Sequence, residues 1–71
     1  MKRTAVSSSN LASVGYDADA KILEIEFLDR SIYQYFNVPV TVYNGLMGAS
    51  SHGKHFHTHI EQGGYLYKRI T

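Results

Sequence analysis

The chain lacks cysteine and tryptophan altogether and has one proline among its 71 residues. The absence of cysteine excludes a disulfide framework, thiolate ligands for zinc and a cysteine nucleophile. No apolar run approaches the ~20 residues that a membrane-spanning helix needs, and the opening "MKRTAVSSSN" lacks the apolar centre of a secretory signal. We therefore expect a cytoplasmic protein without a membrane partner, stabilised by packing or by self-association.

The composition predicts one small globular domain over residues 1–71. Hydrophobic residues make up 44% of the chain and charged residues 18%, which is too apolar for a disordered tail. A chain of this length buries only roughly 60% of the surface that its unfolded form exposes, so one modest core must hold it together.

Charge is distributed unevenly along the chain, although the net charge is only +1. Five of the six acidic residues lie between residues 17 and 29, whereas Lys54, Lys68, Arg69 and all four histidines follow residue 51, where Glu61 is the only acid. One end should therefore carry a positive potential that grows as pH falls through ~6.5, the reference pKa of histidine. Such an end is compatible with a phosphate-bearing partner, and also with an ordinary mixed surface.

Three segments predict an antiparallel meander of strands. The alternation of Leu23, Ile25 and Phe27 with Glu24 and Glu26 indicates one buried and one solvated face. The connections between the segments are short, and the Asp-rich "DADAK" is typical of a turn. The predicted strands are "LASVGYD", "ILEIEFL" and "IYQYF".

A helix is predicted to begin at Pro39. Proline suits the first turn of a helix, and apolar residues recur beyond it at helical spacing. Gly45 and Gly48 within this helix predict a close approach to the sheet, and Gly53 is expected in the left-handed conformation that ends a helix.

A second short helix is predicted from Lys54 to about Ile60, with Phe56 and Ile60 one turn apart and facing inward. "QGG" then breaks the chain, and "YLYKRI" alternates like a final strand. The predicted fold class is α+β: an antiparallel three-stranded meander followed by one or two short helices and a C-terminal strand.

All four histidines lie within "SHGKHFHTHI", residues 51–60. On the predicted second helix His55 and His59 are four apart and share a face, which is the geometry of two zinc ligands. A tetrahedral site needs two more ligands, and the "HExxH" glutamate that activates water is absent. His55 and His59 are therefore weak metal candidates, and we expect an exposed polar helix face that holds neither a metal nor another cofactor.

The sequence contains no recognisable catalytic arrangement. Serine, histidine and aspartate are present, but no "GxSxG" elbow or Gly-rich phosphate loop accompanies them. Glu24 and Glu26 could act as an acid–base pair, yet such glutamates are more often the solvent side of an edge strand. We expect no enzymatic activity, and a hydrolase or metal-dependent enzyme is the remotest alternative.

Tyr33 and Tyr35 project from the same face of the predicted third strand. Two aromatic residues so spaced on a sheet are the arrangement by which RNA-binding domains stack bases. Tyrosine also fills cores, where its hydroxyl reaches a polar partner. Both interpretations stay open, and the solvent exposure of the two rings discriminates between them.

The order of several short motifs resembles the KTSC domain family over about residues 6–70. The motifs are "VSSSNLASVGYD", "LEIEF", "YQYFNVP", "LMGASSHGKHF" and "YLYKRI". The family is named for its occurrence at the C-terminus of some lysyl-tRNA synthetases, and it also occurs as free-standing small bacterial and phage proteins. Its central Tyr-x-Tyr matches Tyr33 and Tyr35, and its Ser-x-Gly turn matches Ser51 and Gly53. Where the family commonly has Tyr-Phe-Asn, this chain has "HFH", so the histidine-rich face is particular to this member.

The resemblance implies a small non-catalytic binding module, with RNA, and tRNA in particular, as the partner suggested by the synthetase association. The residues that we expect to contact nucleic acid are Tyr33, Tyr35, Lys54, Lys68 and Arg69. The alternative is a protein-interaction or homo-oligomerising module without a nucleic-acid role, which a small core, many tyrosines and an exposed strand edge would favour.

Overall fold

A five-stranded antiparallel sheet and two short helices make up the computed structural model, which describes all residues, 1–71. The strands lie side by side in chain order, and the helices are inserted between the last two. The predicted α+β class is confirmed, with one strand more than predicted at the start of the chain. The strands are β1 Arg3–Ala5, β2 Leu11–Asp17, β3 Ile22–Phe27, β4 Ile32–Tyr35 and β5 Tyr67–Arg69.

Aspartate side chains fix the two tight turns of the meander. Between β2 and β3, Asp17 Oδ1 accepts hydrogen bonds from the backbone N–H groups of Asp19 (3.1 Å) and Ala20 (3.2 Å). Between β3 and β4, Asp29 Oδ1 accepts from the Ser31 N–H at 2.9 Å. At these bends the aspartate side chains accept hydrogen bonds from backbone N–H groups that have no partner on a neighbouring strand, so each turn forms at its aspartate.

The helical layer begins after Pro39, as predicted, but its internal boundaries differ from the prediction. Helix α1 spans Val40–Gly48, and α2 spans His52–Phe56 and continues into a π-helical turn, His57–Glu61. The Gln62 N–H donates to the His57 carbonyl at 3.1 Å, which closes that wider turn. Helix α2 therefore begins two residues earlier than predicted.

The expected roles of the glycines are wrong. Gly53 is the second residue of α2 and does not end a helix; a Cβ at this position would collide with Asn10 Oδ1, so the glycine lets α2 lie against the loop that precedes β2. Gly45 faces the His55 ring and Gly48 faces open space, so neither brings α1 close to the sheet.

The core lies between the sheet and the helical layer. Phe56 and Ile60, predicted to face inward, are both 1% exposed. The Phe56 ring meets Phe27 and Tyr35 edge-on, with centroids 5.6 and 5.5 Å apart, which joins α2 to β3 and β4. The buried cluster consists of Leu11, Val14, Leu23, Ile25, Tyr35, Val38, Leu46, Phe56 and Ile60.

Glu24 is buried on the opposite face of the sheet, where the sequence predicted a solvated side of an edge strand. Strand β3 is the central strand, and Glu24 is only 7% exposed. Its carboxylate accepts from Arg3 Nη1 at 2.5 Å and from Gln34 Nε2 at 2.8 Å. Burial acts to raise the pKa of Glu24, but the hydrogen bonds from Gln34 and Arg3 outweigh it and leave that pKa lowered.

None of the helices is both long and apolar enough to cross a membrane.

Candidate functional site

Tyr33 and Tyr35 share one face of β4, and that face is turned toward the core. Tyr35 is 5% exposed and belongs to the buried cluster, whereas Tyr33 is half-buried against it. Their cross-strand neighbours on β3 are the core residues Ile25 and Leu23. One of the two rings expected to stack bases is therefore a core residue, and only Tyr33 offers part of its surface to solvent.

A cleft of about 420 Å³ opens beside these tyrosines, and we call it the aromatic cleft. Tyr67 on β5 forms one wall, with its ring centroid 6.1 Å from that of Tyr33 and 5.6 Å from that of Tyr35. The Arg69 guanidinium lies over the Tyr33 ring, 5.9 Å from its centroid. The cleft is lined by Phe27, Asp29, Ser31, Tyr33, Tyr35, Glu61 and Tyr67.

Negative charge dominates the aromatic cleft. The side-chain and backbone hydrogen bonds from Ser31 lower the pKa of Asp29, so its carboxylate stays ionised at neutral pH. Burial, and then the charge of the Glu61 carboxylate, raises the pKa of Tyr35 to about 12. The Arg69 guanidinium over the Tyr33 ring is a cation beside the cleft, but a phosphate placed among the lining residues would meet two carboxylates.

A second, shallower cleft of about 280 Å³ lies along α2 and the π-helical turn, and we call it the polar cleft. Lys54, His55 and His59 supply its basic groups, and no carboxylate lines it. Ser51 is also the N-cap of α2, and its Oγ accepts a hydrogen bond from the Lys54 N–H at 3.3 Å. The lining residues are Ala49, Ser50, Ser51, Lys54, His55, Thr58 and His59, none of which lines the aromatic cleft.

His55 and His59 share a face of the helix, as their spacing predicted, with ring centroids 4.2 Å apart. Burial, and then the charges of His59 and His52, lowers the pKa of His55. The other two histidines have separate partners: His52 Nδ1 lies 2.8 Å from the Leu46 carbonyl oxygen, and His57 Nδ1 lies 2.6 Å from Glu61 Oε1.

The structure contains no group of three or more histidine, cysteine, aspartate or glutamate side chains arranged to hold a metal ion. His55 and His59 together supply two ligands of the four that a structural zinc site takes.

The five residues expected to contact nucleic acid do not form one surface. Tyr33, Tyr35 and Arg69 meet at the aromatic cleft, whereas Lys54 lines the polar cleft. Lys68 pairs with Gln34 and lies on the other face of the sheet.

The sequence prediction missed several residues that line the two clefts. In the polar cleft these are the hydroxyl-bearing Ser50, Ser51 and Thr58, and in the aromatic cleft they are Asp29, Glu61 and Tyr67. The latter three come from separate stretches of the chain, and no local pattern in the sequence links them.

Comparison with known proteins places this arrangement in a family. The model of the KTSC domain matches residues 7–65. The chain belongs to the KTSC domain family. A KTSC domain protein from Yersinia pestis, known from its crystal structure, is 38% identical, with a TM-score of 0.90 over 99% of this chain and 97% of that one.

Other relatives show the KTSC domain in two settings. An uncharacterized protein of Stutzerimonas stutzeri is 44% identical over 70 residues, which is 99% of each chain. A lysine–tRNA ligase of Trichormus variabilis is 38% identical over 56 residues, which is 79% of this chain but 10% of the ligase. The KTSC domain thus accounts for nearly all of one relative and for a small part of the other.

Proposed function

We propose that the chain is a non-catalytic binding module that contacts RNA through the polar cleft. The observation that carries the proposal is the composition of this cleft, where Lys54, two imidazoles and three hydroxyl groups converge without a carboxylate. An ammonium group attracts a phosphate, and hydroxyl groups donate hydrogen bonds to its oxygens. The occurrence of the domain within lysine–tRNA ligases supports RNA as the source of that phosphate.

The tyrosines have a smaller role in this proposal than in the prediction from the sequence. Tyr35 is a core residue, and Asp29 and Glu61 stand beside it. A base stacked on Tyr33 would bring its phosphate toward these carboxylates, which costs Coulomb energy. We therefore assign the phosphate contact to Lys54 and leave Tyr33, Tyr35 and the two basic residues of β5 outside it.

The proposed contact is electrostatic and small, so the affinity should depend on salt with a shallow slope, and also on pH. A single lysine contact contributes about one unit to the salt dependence of the binding constant. Protonation of His55 would add charge at the polar cleft, and because burial lowers the pKa of His55 below its ordinary value of 6.5, RNA binding should strengthen as pH falls below 6.5.

Fluorescence anisotropy with labelled tRNA and single-stranded RNA at about 20 mM salt tests the proposal, since low salt strengthens phosphate contacts. We expect saturable binding that Lys54→Glu weakens about tenfold or more, in line with the loss and reversal of one phosphate contact. Lys68→Glu makes the same change of charge on the other face of the sheet and should have a smaller effect. The absence of saturable binding, or equal losses for the two variants, would refute a contact at the polar cleft.

A second candidate function is self-association through β5. This strand is the outer edge of the sheet, and Leu66, Tyr67 and Ile70 at or beside it are exposed apolar side chains. The Leu66 carbonyl and the Ile70 N–H bond toward β4, so by alternation the backbone groups of Tyr67 and Arg69 point away from the sheet. A second copy could pair there and continue the sheet.

Light scattering from about 1 µM to 500 µM protein tests the second candidate, because this range brackets the dissociation constants of weak dimers. A dimer should form with rising concentration and should be lost in Leu66→Lys. A monomeric mass across the whole range would eliminate it.

A further inference from the structure

The aromatic cleft differs from the polar cleft in its aromatic rings and its carboxylates, and these groups favour a particular kind of ligand. Three tyrosine rings surround it: Tyr33 and Tyr35 from β4, and Tyr67 from β5. Ring faces carry negative electrostatic potential and attract cations within about 6 Å. The chain shows this preference itself, because the Arg69 guanidinium lies 5.9 Å from the Tyr33 centroid.

Two carboxylates at the cleft have unused hydrogen-bonding capacity. Asp29 accepts both bonds from Ser31 through Oδ1, at 2.9 and 2.6 Å, and Oδ2 has no partner. Glu61 contacts His57 through Oε1 at 2.6 Å, and Oε2 has no partner. A donor with several N–H groups could therefore bond both residues without displacing their present contacts.

The Tyr35 hydroxyl is a third unpartnered group, and Tyr35 lines the cleft. Tyr35 is 95% buried, and its hydroxyl makes no hydrogen bond within the protein. No polar side-chain atom that is sealed from solvent lacks a partner in this chain, so the small exposed remainder of Tyr35 includes this hydroxyl. A buried phenol usually finds a partner, and this hydroxyl has none within the protein.

We propose that the aromatic cleft binds the cationic end of a lysine or arginine side chain from a partner polypeptide. The rings would surround the alkyl stem and the cation, while Asp29, Glu61 and the Tyr35 hydroxyl accept its N–H groups. The volume of about 420 Å³ suits a ligand of side-chain size. This proposal is independent of RNA binding, because none of the residues that line the polar cleft lines the aromatic cleft.

Titration of isotope-labelled protein with blocked peptides, followed by NMR, tests the proposal directly. The probes are acetyl-Gly-Gly-Arg-Gly-Gly-amide and its lysine counterpart, with citrulline, norleucine and glutamate in the same position as controls. We expect saturable shifts at Tyr33, Tyr67 and Glu61 with the cationic peptides only. Free arginine and lysine form a separate arm: if they bind as tightly as the peptides, the ligand is the small cation itself and the polypeptide source is refuted.

Variants distinguish binding within the aromatic cleft from a general attraction of cationic peptides to the charge of the protein. Glu61→Gln should weaken cationic-peptide binding about fivefold or more, whereas His59→Gln, in the polar cleft, should leave it unchanged. Arg69→Gln and Lys68→Gln change the net charge equally, but only Arg69 lies on the Tyr33 ring. We expect Arg69→Gln to tighten binding more than Lys68→Gln does.

Three results would overturn the proposal: no saturable shifts up to millimolar peptide, equal shifts with the citrulline peptide, or equal effects of Arg69→Gln and Lys68→Gln. None of these results tests RNA binding, because all of them concern the aromatic cleft and leave Lys54 in place. Loss of RNA binding in Lys54→Glu, conversely, leaves the aromatic cleft intact.

Discussion

The guanidinium of Arg3 on β1 crosses over Gly15 on β2 and contacts the carboxylate of Glu24 on β3 at 2.5 Å. Gln34 on β4 reaches the same carboxylate from the other side. A short first strand without an apolar pattern is thereby attached to the centre of the sheet through polar side chains.

Removing the cation should destabilise the fold more than removing both charges. Arg3→Met leaves a nearly buried Glu24 carboxylate with one hydrogen-bond donor, and we expect the free energy of unfolding in urea at pH 7 to fall by about 1–3 kcal/mol. The double variant Arg3→Met with Glu24→Gln leaves no unpaired charge and should recover part of this loss. If the double variant were less stable than Arg3→Met, the loss in Arg3→Met would not come from an unpaired Glu24 carboxylate.

Acid should remove the contribution of Glu24. Its pKa is lowered in the folded protein relative to the ordinary value of 4.5, so the unfolded chain takes up a proton first as pH falls. The stabilisation is therefore complete above about pH 4.5 and is lost as pH falls through the lower folded pKa. Urea midpoints from pH 6 to pH 2 measure this loss of stability, which should be smaller in Glu24→Gln. Because the pKa of Asp29 is lowered as well, the comparison is made between Asp29→Asn and the double variant Asp29→Asn with Glu24→Gln.

Gly15 should not tolerate alanine. A Cβ at this position would lie 2.8 Å from the Lys2 carbonyl oxygen and 2.9 Å from Arg3 Cγ, so β1 would have to move. We expect Gly15→Ala to lower the free energy of unfolding by about 1–3 kcal/mol. Gly48→Ala is the matched control, because nothing lies within 4 Å of its added Cβ, and it should be neutral or stabilising by up to about 1 kcal/mol. Equal behaviour of the two variants would contradict the close approach.

The imidazole of His55 should titrate below its ordinary value of 6.5, since burial and the neighbouring His59 and His52 lower its pKa. NMR of the ring protons measures the midpoint directly. Because the unfolded chain binds this proton first, folding stability should decline as pH falls below 6.5. His55→Gln should lessen that decline, and a midpoint at or above 6.5 would argue against the burial of this ring.

Tyr35 should remain protonated in alkaline solution above pH 10.0, the ordinary pKa of a phenol. Its pKa is raised to about 12 by burial and by Glu61. Tyrosine ring-carbon NMR should show a titration near pH 12 that disappears in Tyr35→Phe. The raised pKa adds stability that is complete below pH 10.0 and is lost as pH rises toward 12; a Tyr35 titration near 10 would be inconsistent with its place in the core.

Local patterns predicted the parts of the fold that depend on local spacing. Phe56 and Ile60 are one turn apart, and this spacing alone indicates that both face the core. The aspartates of "DADAK" predicted the turn after β2, because an aspartate side chain satisfies the bend within a few residues. The meander followed from alternation and short connections.

The errors concern features that depend on distant parts of the chain. Alternation places Tyr33 and Tyr35 on one face, but which face is covered depends on where the helices lie. Glu24 was expected in solvent because Arg3–Ala5 carries no apolar alternation that would predict β1. The aromatic cleft was not predicted, since Asp29, Glu61 and Tyr67 meet only after β5 has paired with β4.

That pairing has a consequence for the order of folding. Strands β1 to β4 are joined by short connections, whereas β5 must wait until the whole helical segment has been placed, and closing a long loop slows the contacts that it allows. We expect the Lys68 amide, on β5, to exchange with deuterium faster than the Glu24 amide on β3. Tyr67 on β5 is a wall of the aromatic cleft. A ligand bound in the cleft would therefore also stabilise the pairing of β5, the last strand to form, with β4.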